Sequence, residues 1–68
     1  MNSANLKTSA RLKRVDALLS DCMPRTTMQI IQGANVCAVN SIIAELRDNG
    51  RKINCHRHDG KFYYRRVA

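Results

Sequence analysis

The stretch Asn35–Gly50 constrains the fold of this chain more than any other: Asn-Val-Cys-Ala-Val-Asn-Ser-Ile-Ile-Ala-Glu-Leu-Arg-Asp-Asn-Gly. At roughly 100° per residue, Val36, Val39, Ile42, Ile43 and Leu46 fall within an arc of about 120°, which predicts a helix with one apolar stripe. Asn35 is suited to cap its first turn, accepting a hydrogen bond from a backbone N–H that has no partner inside the helix. Gly50, after Asn49, can take the left-handed conformation that ends a helix. The opposite face carries Cys37, Ser41, Ala44 and Asp48, flanked by Asn40 and Glu45. Its N-terminal end is small and polar, which fits it to lie close against a flat or grooved partner.

Upstream, the apolar set Leu12, Val15, Leu18, Leu19 and Cys22 repeats the same spacing, displaced by 24 residues. Two helices each offering one stripe to a shared core explain the match without a gene repeat. The first of them is expected from Thr8 or Ser9 to about Cys22, with Lys7, Arg11, Lys13 and Arg14 crowding its first half. Pro24 stops it, because the residue before a proline is pushed out of helical geometry. Thr26-Thr-Met-Gln29 is a capping box and starts a second, short helix, Thr27 to Gln32. Met28 and Ile31 face the core in this reading, with Ile30 as a further candidate. The turn Gly33-Ala34-Asn35 then leads into the third helix, and two helices joined by a short glycine turn form a helix-turn-helix.

After Gly50 the period changes from helical to alternating. Residues 51–57 and 62–67 read as strands, and Asp59-Gly60 between them is a strong two-residue hairpin signal. That turn sets His58 opposite Lys61 and Cys55 opposite Tyr64. Ile53, Cys55, Phe62 and Tyr64 then share one face, which closes over the helices. The other face holds Lys52, Asn54, His56, Lys61, Tyr63 and Arg65, almost wholly cationic or polar.

A chain of 68 residues is one small domain. At that size only about 60% of the unfolded surface is buried, so a dimer or bound partner adds usefully to stability. Residues 1–7 are expected to be a mobile N-terminus and 8–68 the folded domain. Twelve Lys and Arg against five Asp and Glu give a net charge of +7. This balance favours polyanions, nucleic acid first and an anionic membrane surface second. Three widely spaced cysteines, Cys22, Cys37 and Cys55, read as reduced thiols rather than a disulfide scaffold. No apolar run is long enough for a bilayer and no signal-peptide core opens the chain, so a cytoplasmic protein without membrane partners is expected.

The order helix, short helix, turn, helix, Asn-Gly stop and two-stranded antiparallel hairpin resembles the winged helix-turn-helix family, an α+β fold. Val39-Asn-Ser-Ile-Ile-Ala-Glu-Leu-Arg-Asp-Asn-Gly50-Arg-Lys-Ile53 is similar to the second half of that family's motif, with its Ile-x-Glu-Leu-Arg-x-x-Gly-x-x-Ile run. Asp59-Gly60-Lys-Phe-Tyr-Tyr64 resembles the wing tip and returning strand. The likeness covers residues 8–67, and the brevity is similar to small phage and prophage helix-turn-helix proteins. It implies a DNA-binding transcriptional regulator, or an accessory factor in phage DNA transactions, with double-stranded DNA as partner. The third helix would enter the major groove and the wing would lie on the phosphate backbone. Carried onto this sequence, base contacts would come from Asn35, Cys37, Ala38, Asn40 and Ser41. Asn can pair bidentately with adenine, Ser with several bases and Ala with the thymine methyl. Phosphate contacts would come from Arg25, Lys52, Arg57, His58, Lys61 and Arg65, positioning the protein without reading sequence.

The helix face has no Arg or Lys before Arg47, and Glu45 and Asp48 oppose nearby phosphates. The same neutral face therefore admits a second function, a winged-helix module that binds a host protein or a second copy of itself. RNA binding is a third option, differing only in which duplex competes best. Cys55, His56 and His58 lack the second ligand pair a structural zinc site wants, so no metal is expected. No nucleophile stands beside a histidine held by an acid, and no pair of carboxylates forms an acid–base couple. So short a chain also leaves little room for an enclosed pocket. Neither enzymatic activity, cofactor nor small-molecule ligand is expected.

Overall fold

Ser9 opens the first helix, α1 (Ala10–Leu18), its hydroxyl accepting from the backbone N–H of Leu12. A computed structural model describes residues 5–67; the start of the expected mobile N-terminus, residues 1–4, lies outside the described residues. Asn5 to Thr8 form a turn, with the N–H groups of Thr8 and Ser9 donating to the Asn5 carbonyl at 3.0 and 2.9 Å. Leu6 N–H donates to Asn49 Oδ1 at 3.0 Å, fixing this turn against the far end of the third helix.

The first helix is shorter than the expected run to Cys22. It stops at Leu18, six residues before Pro24, and the Ser20 hydroxyl donates to the Ala17 carbonyl at 2.7 Å. That side-chain bond satisfies a terminal carbonyl and competes with a further helical turn. Leu19 still reaches the core, while Cys22 is half-buried at φ +61°.

Arg25–Thr26 form a two-residue strand, β1, that the sequence reading did not contain. Thr26 also caps α2 (Thr27–Ala34) through the complete capping box, giving its N–H to Gln29 Oε1 at 2.8 Å and accepting from Gln29 N–H at 3.1 Å. The helix passes through Gly33 instead of ending at Gln32. A Cβ at Gly33 would lie 3.2 Å from both terminal carbons of Leu18, so the missing side chain lets the two helices approach. Asn35 terminates α2 in the left-handed conformation at φ +53°, and Arg14 Nε donates to the Ala34 carbonyl at 2.8 Å. On this helix Ile30 is completely buried and Ile31 packs against the core, whereas Met28, expected inside, is 58% exposed.

The third helix, α3 (Val39–Asp48), begins three residues later than a cap at Asn35 would set it. Asn35 does not cap it, because Asn35 is already committed to ending α2. The cap position belongs to Ala38, at φ +53° and without a side-chain hydrogen bond. At the far end the Asn-Gly stop forms as read. Gly50 has φ +91°, its N–H reaches the Arg47 carbonyl, and Arg51 N–H reaches that of Leu46. These two bonds are the Schellman pattern for satisfying orphaned helix carbonyls.

Strands β2 (Ile53–His58) and β3 (Lys61–Arg66) pair in the register the Asp59-Gly60 turn dictates, with Cys55 opposite Tyr64 and His58 opposite Lys61. Both turn residues take positive φ, +52° and +76°, as a type I′ turn requires. β1 joins the other edge of β3, Arg25 opposite Tyr64, so the sheet has three antiparallel strands in the order β1-β3-β2 rather than the expected two. The result is a small α+β domain. Ile53 and Tyr64 close the core over α1, α2 and α3, but Cys55 and Phe62, on the same face, run past the helices and are exposed. Alternation marks a shared face; it does not say how far the covering layer extends.

Candidate nucleic-acid interface

Three clusters of the residues singled out above emerge in space. The first is the exposed side of α3. Val39, Ile42, Ile43 and Leu46 point into the core, which turns Ser41, Ala44 and Asp48 outward and Asn40 toward the sheet. Glu45, expected to repel phosphate, is held by Arg11, whose terminal nitrogen lies 2.7 and 3.0 Å from the two carboxylate oxygens. The outer surface of α3 therefore carries less net negative charge than its sequence suggests.

Asn40 is tied to β3. The Tyr64 hydroxyl donates to Asn40 Oδ1 at 2.8 Å, and both residues line a cleft with Thr27, Cys55 and Phe62. Helical and strand periodicities, each local to its own element, do not reveal this link. A buried tyrosine needs a partner for its hydroxyl, and Tyr64 was already placed on the inner face; that was the available signal. Arg47 makes a second tie, its guanidinium donating to the Ile53 carbonyl at 2.7 Å.

Asn35, Cys37 and Ala38 are exposed but belong to the connection before α3, not to its surface. They line a separate cleft with Arg11, Arg14, Ile31 and Val36. Ala38 adjoins the first turn of α3; Asn35 and Cys37 lie on the α1 side.

The hairpin forms the third cluster. From Lys52 to Arg66 it holds five Lys and Arg against Asp59 alone. Among the described residues, Lys52, Arg57, Lys61 and Arg65 make no ion pair with a carboxylate. By contrast, Arg66 at the base of the hairpin is matched with Asp16, as is Arg51, while Arg11 and Arg25 are matched with Glu45 and Asp21. Arg51 is held firmly protonated, above its ordinary value, by its hydrogen bond to Asp16 and the attraction between their charges. The backbone N–H of Met23 donates to the Asp21 carboxylate and lowers its pKa; Arg25 acts in the same direction. Arg25, expected to face phosphate, is thus engaged by an acid at 2.7 Å.

The two faces of the ribbon differ. Arg57 lies over the Phe62 ring, 5.9 Å from its centroid, on the face shared with Cys55 and Tyr64. His56 stacks on Tyr63 at 5.3 Å on the opposite face, with His58, Lys61 and Arg65. Arg65 Nε donates to the Cys22 carbonyl at 2.9 Å, which holds that arginine against the chain before β1. Cys55 points away from His56 and His58, and among the described residues no group of three or more His, Cys, Asp or Glu is placed to hold a metal ion. No helix among them is long and apolar enough to cross a membrane.

The chain matches no protein-family model, and no curated protein or solved structure shows significant similarity to it.

Proposed function

We propose that this protein binds duplex DNA as a winged helix-turn-helix and acts as a small regulator or accessory factor by occupying a site. In this reading α3 enters the major groove and the β2–β3 hairpin is a basic wing on the neighbouring backbone. The observation that carries it is the pairing of a thin, nearly neutral ridge, Asn40, Ser41 and Ala44, with four cations on the hairpin that no carboxylate among the described residues neutralises. Asn40 and Ser41 meet base edges, with Ala38 at the entry to the helix. Lys52, Arg57, His58 and Lys61 meet phosphates, joined by Arg65 when it leaves the Cys22 carbonyl. Such phosphate contacts position a protein, while the small side chains read.

Binding to a mixed-sequence duplex, titrated against salt, tests this. The triple variant Arg57→Ala, Lys61→Ala, Arg65→Ala reduces the slope of log affinity against log salt by about 2 to 3, since each phosphate contact contributes about 0.9. An unchanged slope places the contact surface elsewhere.

One observation favours the second reading, a protein-binding module. Met28 and Phe62, 58% and 50% exposed, line one cleft with Thr26, Thr27, Gly60 and Lys61. A stoichiometric partner retained from nuclease-treated lysate by the native chain, and lost with Phe62→Ser, supports that reading; retention of nothing counts against it.

A further inference from the structure

Among the described residues Tyr64 is the one buried aromatic, 5% exposed, and its hydroxyl meets the exposed side chain of Asn40 at 2.8 Å. A phenolic O–H withdrawn from water needs an acceptor, and in a carboxamide only the oxygen accepts. The bond therefore fixes which end of Asn40 is which. Oδ1 is turned toward β3, and Nδ2, with its two donors, is left facing away from it.

This bears on what the residue can recognise. Bidentate pairing with adenine needs the amide nitrogen to donate to N7 and the amide oxygen to accept from the N6 amino group. In this protein Tyr64 takes one of that oxygen's two lone pairs and turns the oxygen toward β3, so it is poorly placed to accept from N6 while Nδ2 donates outward. Guanine presents two acceptors in the major groove, N7 and O6, and asks only for donors. Resting on the duplex-binding reading above, we propose that Tyr64 sets the polarity of the Asn40 carboxamide, so that Asn40 reads guanine in preference to adenine. Tyr64 touches no base; it is a positioning residue that acts through Asn40. Ser41 does not impose the same choice, because its hydroxyl both donates and accepts. The preference is thus written by a core residue whose ring also closes the sheet over the helices.

Selection from a pool of randomised duplexes, with the bound fraction sequenced, tests this. The native chain is expected to enrich guanine over adenine about tenfold at one position, within the range of a single good base contact. Asn40→Ala abolishes the enrichment. Tyr64→Phe keeps the ring in place and removes only the oxygen; the carboxamide is then free to turn, and the ratio falls to within about twofold. A merely structural role for the hydroxyl would instead weaken binding to all sequences alike and leave the ratio unchanged. Asn40→Asp, which leaves the core untouched, still accepts from Tyr64 but offers no donor, and it loses the guanine preference. Adenine enrichment by the native chain, a preference that survives Tyr64→Phe, or one that survives Asn40→Asp overturns the proposal. Duplex retained with no guanine enrichment overturns it alone, whereas no duplex retained at all overturns the duplex-binding reading and this proposal together.

Discussion

Ala38 carries a Cβ through the left-handed region at φ +53° and offers the start of α3 no side-chain acceptor. That conformation costs an L-residue about 1–2 kcal/mol. Glycine removes most of this cost and gives part of it back as entropy of the unfolded chain. Ala38→Gly is accordingly expected to raise stability by about 0.5 kcal/mol in urea unfolding; a loss would mean that the turn is not strained. Asp21 supplies a pH dependence at the same scale. Its folded pKa lies below the ordinary 3.8, set first by the Met23 N–H. A lowered carboxylate contributes stability that is present above 3.8 and lost as pH falls through the lowered value. Asp21→Asn should therefore flatten the acid side of a stability–pH profile below about pH 4 and leave the neutral side alone. The same slope in native and variant proteins would remove Asp21 as its source.

At the scale of elements, α2 separates the sequence reading from the structure most sharply. The capping box at Thr26–Gln29 formed in full, because its residues act only on one another across a single turn. The helix face did not follow. Six to eight residues span barely two turns, too few for a stripe to discriminate between Met28 and Ile30. Packing against α1 decided it: Ile30 is completely buried and Met28 is more than half exposed. Ile30→Ala should cost about 2–5 kcal/mol, whereas Met28→Ala should stay within about 0.5 kcal/mol. Equal costs at the two positions would contradict this orientation. The start of α3 was misplaced for a related reason. Asn35 serves equally as a cap and as a left-handed terminator, and only the continuation of α2 through Gly33 toward Leu18 selects the second role. β1 was illegible because two residues carry no period. By contrast, the hairpin register was fully legible, since Asp59-Gly60 determines it locally. Of the candidate contacts, Asn40 and Ser41 fall on α3 as read, while Asn35, Cys37 and Ala38 depended on the misplaced start.

Across the whole molecule, the net charge of +7 was visible in the sequence but its distribution was not. Asp16 on α1 binds both Arg51 and Arg66, at 2.7 and 3.5 Å, so one acid offsets part of the positive charge at the base of the hairpin and leaves its outer half cationic. Partly exposed pairs of this kind are worth up to about 1 kcal/mol each. Asp16→Ala is therefore expected to cost about 1–2 kcal/mol while strengthening duplex binding at low salt. Weaker binding by a folded Asp16→Ala variant would indicate that the hairpin's placement, rather than its charge, limits affinity. Tyr64–Asn40 and Arg47–Ile53 fasten α3 to the sheet, so helix and hairpin form one joined surface.

The most direct test of that joint surface is a map of backbone amide shifts on titrating a short duplex of mixed sequence. Asn40, Ser41 and Ala44 are expected to move together with Arg57 to Lys61 over the same concentration range, while amides on the exposed side of α1 stay still. Shifts confined to one of the two elements, or centred on α1, would contradict a joint surface.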